Sequence, residues 1–244
     1  MFESSNIMRR LKRPNVPVLL ELALGLGLLG LELWIWQHLV APPTGMLAGA
    51  LLSYLVLAGV VWATFPATLR GLGWANRVTL FRATLVTVFI GSLPFPAFLA
   101  NHAVALAGLA LLALVLDGID GWVARRTRTD TWFGAHFDME LDAGLVLALS
   151  VAVALLGKVE AWVLLIGVMR YGFVIAGLVW PWLRAELPER LRRKAGCVVQ
   201  VATLLICLLP AVDATWATRL SAIALLLLFA SFALDVRWLW RHAR

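Results

Sequence analysis

Four aspartates interrupt an otherwise oily stretch of this 244-residue chain: Asp117, Asp120, Asp138 and Asp142. A carboxylate at mid-bilayer costs roughly 2.5–3.5 kcal/mol on insertion scales, so such groups persist where something neutralises them. On a helix at about 100° per residue, Asp120, Gly121 and Ala124 stand at about 300°, 40° and 340° from Asp117, with Arg125 at about 80°. They share one face. Gly134, Asp138 and Asp142 repeat at i, i+4 and i+8 and form a second stripe. Two adjoining antiparallel helices joined by a short basic turn can therefore aim all four carboxylates at one spot. Their charge is balanced by two Mg²⁺ or Mn²⁺ ions, and hard oxygen ligands suit those ions rather than zinc or copper. Gly121, Ala124 and Gly134 leave backbone uncovered for a phosphorylated ligand, and Arg125 is suited to bidentate contact with a phosphate. Displacement at a pyrophosphate fits such a two-metal site. The competing reading pairs the aspartates with Arg125, Arg126 or Arg82 and uses Gly and Ala only for helix packing.

The elements that must hold these residues are membrane helices. The chain is 62% hydrophobic and 14% charged, with mean hydropathy +0.89, which excludes an ordinary soluble domain. Apolar runs of about twenty residues, the length that crosses the hydrocarbon core as helix, lie near 18–38, 46–65, 78–99, 103–122, 136–156, 160–181, 195–212 and 217–238. Apolar residues are continuous rather than alternating, so the segments read as helices and not barrel strands. Pro42, Pro43, Pro66, Pro94, Pro96, Pro181, Pro188 and Pro210 fall mostly at run ends, where proline ends or kinks helices.

Net charge is +7. In this setting it reports orientation rather than nucleic-acid binding. Seventeen of the 21 Lys and Arg residues fall in alternate connections and the two tails, while the opposite loops hold only Lys158 and Arg219. The positive-inside rule then predicts eight spans with both termini cytoplasmic. The cluster Arg9, Arg10, Lys12 and Arg13 precedes a run longer than a signal-peptide core, so the N-terminus reads as retained. Cys197 and Cys207 read as small buried hydrophobes.

The pattern Asp-x2-Asp-Gly-x2-Ala-Arg-x8-Gly-x3-Asp-x3-Asp, carried by Asp117, Asp120, Gly121, Ala124, Arg125, Gly134, Asp138 and Asp142, resembles the signature of the CDP-alcohol phosphotransferase family of phospholipid synthases. The stretch Asn76-Arg77-Val78-Thr79-Leu80-Phe81-Arg82 is similar to the segment that opens that family's first core helix. The resemblance implies an all-α integral membrane protein: a six-helix catalytic domain over 66–244, preceded by a two-helix membrane extension over 1–65. It implies a homodimer that binds Mg²⁺ or Mn²⁺ (two ions) through Asp117, Asp120, Asp138 and Asp142, with Asp142 also the general base. Thr79, Gly121, Ala124, Arg125 and Gly134 would line the nucleotide pocket. The implied reaction moves a phosphatidyl group from CDP-diacylglycerol to a small alcohol and releases CMP, with the cytidine toward the cytoplasm; composition points to a bacterial inner membrane as the setting. Its partners are the bilayer and these substrates, with no nucleic acid.

Arg170, a lone cation inside an apolar run, is a candidate acceptor-binding residue. Lys194, with Arg192 and Arg193, either reaches the same acceptor or forms a solvated cluster against anionic lipid. His136 points away from the Asp138 stripe on a regular helix. Glu21 and Glu32 are acids in the first run to which the sequence assigns no partner. Two other functions stay open at this point: a CDP-choline or CDP-ethanolamine phosphotransferase acting on diacylglycerol, and a carboxylate-lined cation transporter. A helical scaffold would tolerate Asp→Asn throughout the cluster.

Overall fold

The computed structural model describes residues 16–66, 68–69, 71–127, 131–185 and 191–242; the side chains of 119–127, 184 and 191–194 lie outside that description. The described residues form helices and no strand: α1 Val16–Val40, α2 Thr44–Thr64, α3 Gly73–Ser92, α4 Pro96–Asn101, α5 Ala103–Thr127, α6 Trp132–Leu155, α7 Leu164–Val179, α8 Leu191–Leu208 and α9 Ala214–His242. Among the described residues, four stretches are long and apolar enough to cross a membrane: Val16–Val40, Thr44–Thr64, Ala161–Val179 and Ala214–His242. Each of the eight apolar runs falls on a helix, but the bounds move. The run expected over 78–99 breaks in two. Its helix stops at Ser92, and Pro96 starts the short α4, because Pro94 and Pro96 cannot continue the backbone ladder. The same helix begins five residues early, after Gly73 takes a φ of 79°, a value glycine adopts without strain.

The chain divides into two compact units, Met1–Pro94 with Leu109–Leu141, and Phe95–Gly108 with Asp142–Arg244. In the first, α3 packs against both α1 and α2. Close approach of α2 and α3 depends on Gly91, where a Cβ would lie 2.6 Å from Met46 O and 2.8 Å from Ala50 N. This is the small-residue contact that brings membrane helices together. The Tyr54 hydroxyl of α2 donates to Leu22 O of α1 at 2.7 Å, above the gap left by Gly25. Phe65 and Phe133 meet edge to face at 5.0 Å.

In the second unit, α6 and α7 meet at Gly167, where a Cβ would lie 2.6 Å from Leu147 Cα. Phe173 of α7 packs edge to face on Phe232 of α9 at 5.3 Å. Asp213 caps α9 by accepting the Trp216 N–H at 2.8 Å. Both cysteines are free thiols, and Cys207 is buried.

Candidate metal and substrate centre

The centre is built on three helices, α3, α5 and α6. Residues 113 and 117 are one turn apart on α5, so the Ala113 carbonyl and the Asp117 side chain stack on one face. Arg82 of α3 reads that face. Its Nε donates to Ala113 O at 3.0 Å, and its Nη1 lies 2.9 Å from Asp117 Oδ1 and 2.5 Å from Asp138 Oδ1 of α6. The Arg82 side chain is 1% exposed, against 30% for Asp117 and 36% for Asp138. The cation is sealed and the acids keep an open side.

The start of α6 is fixed by Thr131, whose Oγ1 accepts the Gly134 N–H at 3.0 Å, an N-cap bond to the third helical residue. Gly134 is buried, and a Cβ there would collide with Asn76 Oδ1 of α3. Asn76 in turn donates through Nδ2 to Leu72 O at 2.7 Å. Glycine at 134 thus lets α6 approach the polar first turn of α3. Thr79, one turn on from Asn76, is buried, and its hydroxyl donates to Ala75 O at 3.2 Å.

Asp142 follows Asp138 by one turn of the same unbroken helix. One carboxylate oxygen from each of Asp117, Asp138 and Asp142 lies within 4.8 Å of the others. Oxygens around Mg²⁺ at its usual distance of roughly 2.1 Å stand up to about 4.2 Å apart, so the trio needs little closure to hold one hard cation. The donor set fits such an ion. Asp120, Gly121, Ala124 and Arg125 are carried on α5, which continues to Thr127, but their side chains lie outside the described residues. So does that of Lys194. Arg170 is half-buried on α7. His136 is exposed, lies 3.1 Å through Nδ1 from Trp132 O and rests on that indole, away from the stripe as expected.

Three residues exceed what the sequence reading assigned. Arg82 enters that reading only as a possible partner of the aspartates and a motif position, yet here it gathers Asp117 and Asp138. The signal is the one applied to Arg170: a lone cation within an apolar run. Glu21 and Glu32, left without partners, both contact α3, through Leu72 and Arg77 and through Thr84.

The described residues thus place a carboxylate group able to hold a hard cation on the helices of a membrane protein, with one buried guanidinium gathering two of the acids. Over residues 72–234 the sequence matches the CDP-alcohol phosphatidyltransferase family, and the chain belongs to that family. It is therefore a transferase of the CDP-alcohol type, from a family that generally uses divalent metals. No curated protein and no solved structure matches it.

Proposed function

We propose that the chain transfers a phosphatidyl group from CDP-diacylglycerol to the hydroxyl of a small alcohol and releases CMP. The observation that carries this reading is the grouping of Asp117, Asp138 and Asp142 oxygens within 4.8 Å in a member of this family. Asp117, Asp120, Asp138 and Asp142 hold two Mg²⁺ or Mn²⁺ ions, which when bound neutralise the diphosphate and make CMP a competent leaving group. Thr79, Gly121, Ala124, Arg125 and Gly134 line the nucleotide pocket, and Arg125 grips a phosphate. Arg82 keeps Asp117 and Asp138 oriented. Asp142 takes the proton from the acceptor hydroxyl, whose oxygen attacks the phosphorus bearing the diacylglycerol as the bond to CMP breaks. Arg170 and Lys194 offer positive charge to an anionic acceptor.

The protein works as a homodimer with eight spans, its active site on the cytoplasmic face of a bacterial inner membrane. The distribution of Lys and Arg supports that orientation. Residues 66–244 form the catalytic membrane domain, and 1–65 an extension to it.

The deciding experiment supplies purified protein with CDP-diacylglycerol, Mg²⁺ and a panel of alcohols, and identifies lipid products by mass spectrometry. A new phospholipid with matching CMP is expected. Product only from CDP-choline or CDP-ethanolamine with diacylglycerol would replace this donor assignment. Ion flux in liposomes without nucleotide, and no transfer, would replace the enzyme by a transporter. Asp142→Asn should keep folding and nucleotide binding and lose turnover by 100-fold or more, on the order of what general-base loss costs. Normal turnover in that variant removes Asp142 as the base.

A further inference from the structure

The N–H groups that open α3 receive no side-chain cap bond from the helix's own N-cap. Leu72 stands at its N-cap, and its side chain cannot accept the orphan donors that open every helix. The acceptor comes from α1. Glu21 is 8% exposed, its Oε2 accepts the Leu72 N–H at 2.7 Å, and its Oε1 accepts from Arg77 Nε at 2.9 Å and Nη2 at 2.7 Å. A negative group at a helix N-terminus is also favoured by the aligned peptide dipoles. α1 itself is held by the Tyr54 bond to Leu22 O, beside Glu21. A second link joins Glu32, about three turns along nearly the same face of α1, to Thr84 of α3 at 2.7 Å.

We propose that Glu21 is a positioning residue: from α1 it fixes where α3 begins, and so where Asn76, Thr79 and Arg82 stand against Gly134, Asp117 and Asp138. Residues 72 and 82 are separated by about 15 Å of helix. A helix transmits an axial slip along its length, so displacement at Leu72 reaches Arg82 undiminished. This assigns the extension a part in catalysis, although the family match begins only at residue 72. Its catalytic consequence rests on the transferase reading above.

The test compares wild type, Glu21→Ala, Glu21→Gln and Glu21→Ala with Arg77→Ala in nanodiscs. Three quantities are measured: hydrogen–deuterium exchange of the peptide covering 69–80, turnover per folded molecule, and the Mg²⁺ concentration giving half-maximal rate. Glu21→Ala should speed exchange in the first turn of α3, lower kcat about 10- to 100-fold, as small misplacements do, and raise the half-maximal Mg²⁺ several-fold. Glu21→Gln keeps an acceptor for Leu72 and should fall between, and it carries the test if the alanine variant does not fold. The Arg77→Ala change should add nothing to Glu21→Ala. Unchanged exchange would overturn the proposal, and so would faster exchange with turnover and metal requirement intact, which marks a purely structural bond. If wild type releases no CMP with any donor, the transferase reading fails, and the exchange measurement alone decides whether Glu21 holds α3.

Discussion

α1 and α3 lie side by side in one unit and use burial in opposite ways. α1 buries Val18, Glu21, Leu22, Gly25 and Leu29 out of 25 residues, a narrow stripe at helical spacing. Most of its remaining surface, including Leu20, Leu24 and Leu31, is exposed and apolar, as suits lipid. α3 buries fourteen of its 20 residues, because α1 and α2 both cover it. It also holds six of the eleven buried polar or charged side chains among the described residues: Asn76, Thr79, Arg82, Thr84, Thr87 and Ser92. Apolarity in this protein therefore records contact with lipid rather than depth in the fold. Both helices are long enough to cross a membrane and α1 is by far the more apolar of the two, yet α3 is the more enclosed.

The largest effect should come from removing the cation at the heart of α3. Arg82→Met leaves Asp117 and Asp138 without their guanidinium and removes the Nε bond to Ala113 O, a destabilising loss tempered by the open side that both acids keep. A lower thermal midpoint in detergent and loss of transfer activity are expected. Arg82→Lys retains the charge but loses the Nε bond to Ala113 O, so it should fold and still be at least about 10-fold impaired. Full activity in Arg82→Lys would show that charge alone, not the fork, organises the acids.

Next comes the α2–α3 contact. An added methyl at Gly91 meets backbone atoms Met46 O and Ala50 N at 2.6 and 2.8 Å, and backbone cannot rotate away as a side chain can. Gly91→Ala should destabilise by about 1–3 kcal/mol, read by thermal unfolding. A neutral result would mean that α3 is not enclosed by α2 as described.

The grouping of Asp117, Asp138 and Asp142 was legible in sequence because its signal is local: Asp138 and Asp142 are one turn apart on α6, and Asp117 lies on α5, one short connection away in sequence. The contacts of Glu21 and Glu32 were not, because their partners lie on α3, 51 and 52 residues away, and no periodicity within α1 points to them. The break at Pro94 is masked in the sequence by hydropathy, which continues through Phe95 and Phe98. The enclosure of α3 was hidden for a related reason: Gly91 reports a close neighbour only once α2 is placed against it.

Glu32 offers a milder probe. Thr84 Oγ1 lies 2.7 Å from both Glu32 Oε1 and Phe81 O, and a single hydroxyl hydrogen serves one of these oxygens at a time. An amide at position 32 supplies the second hydrogen. Glu32→Gln should therefore change the unfolding midpoint by the equivalent of less than about 1 kcal/mol, while Glu32→Leu should lose roughly one hydrogen bond, about 1 kcal/mol.

A paired substitution separates the two faces of α1 itself. Gly25 lies on the buried stripe, where a Cβ would strike the Tyr54 hydroxyl and come within 3.2 Å of Leu80 carbons. Gly27, two residues away, has nothing within 4 Å. Gly25→Ala must push Tyr54 off Leu22 O and should cost about 1–2 kcal/mol, the worth of that bond plus some overpacking. Gly27→Ala faces lipid and gains helix propensity, so stability should hold or rise by up to about 1 kcal/mol. Equal responses at the two positions would mean that α1 does not meet α2 and α3 along its stripe, and the contrast between α1 and α3 would lose its physical basis.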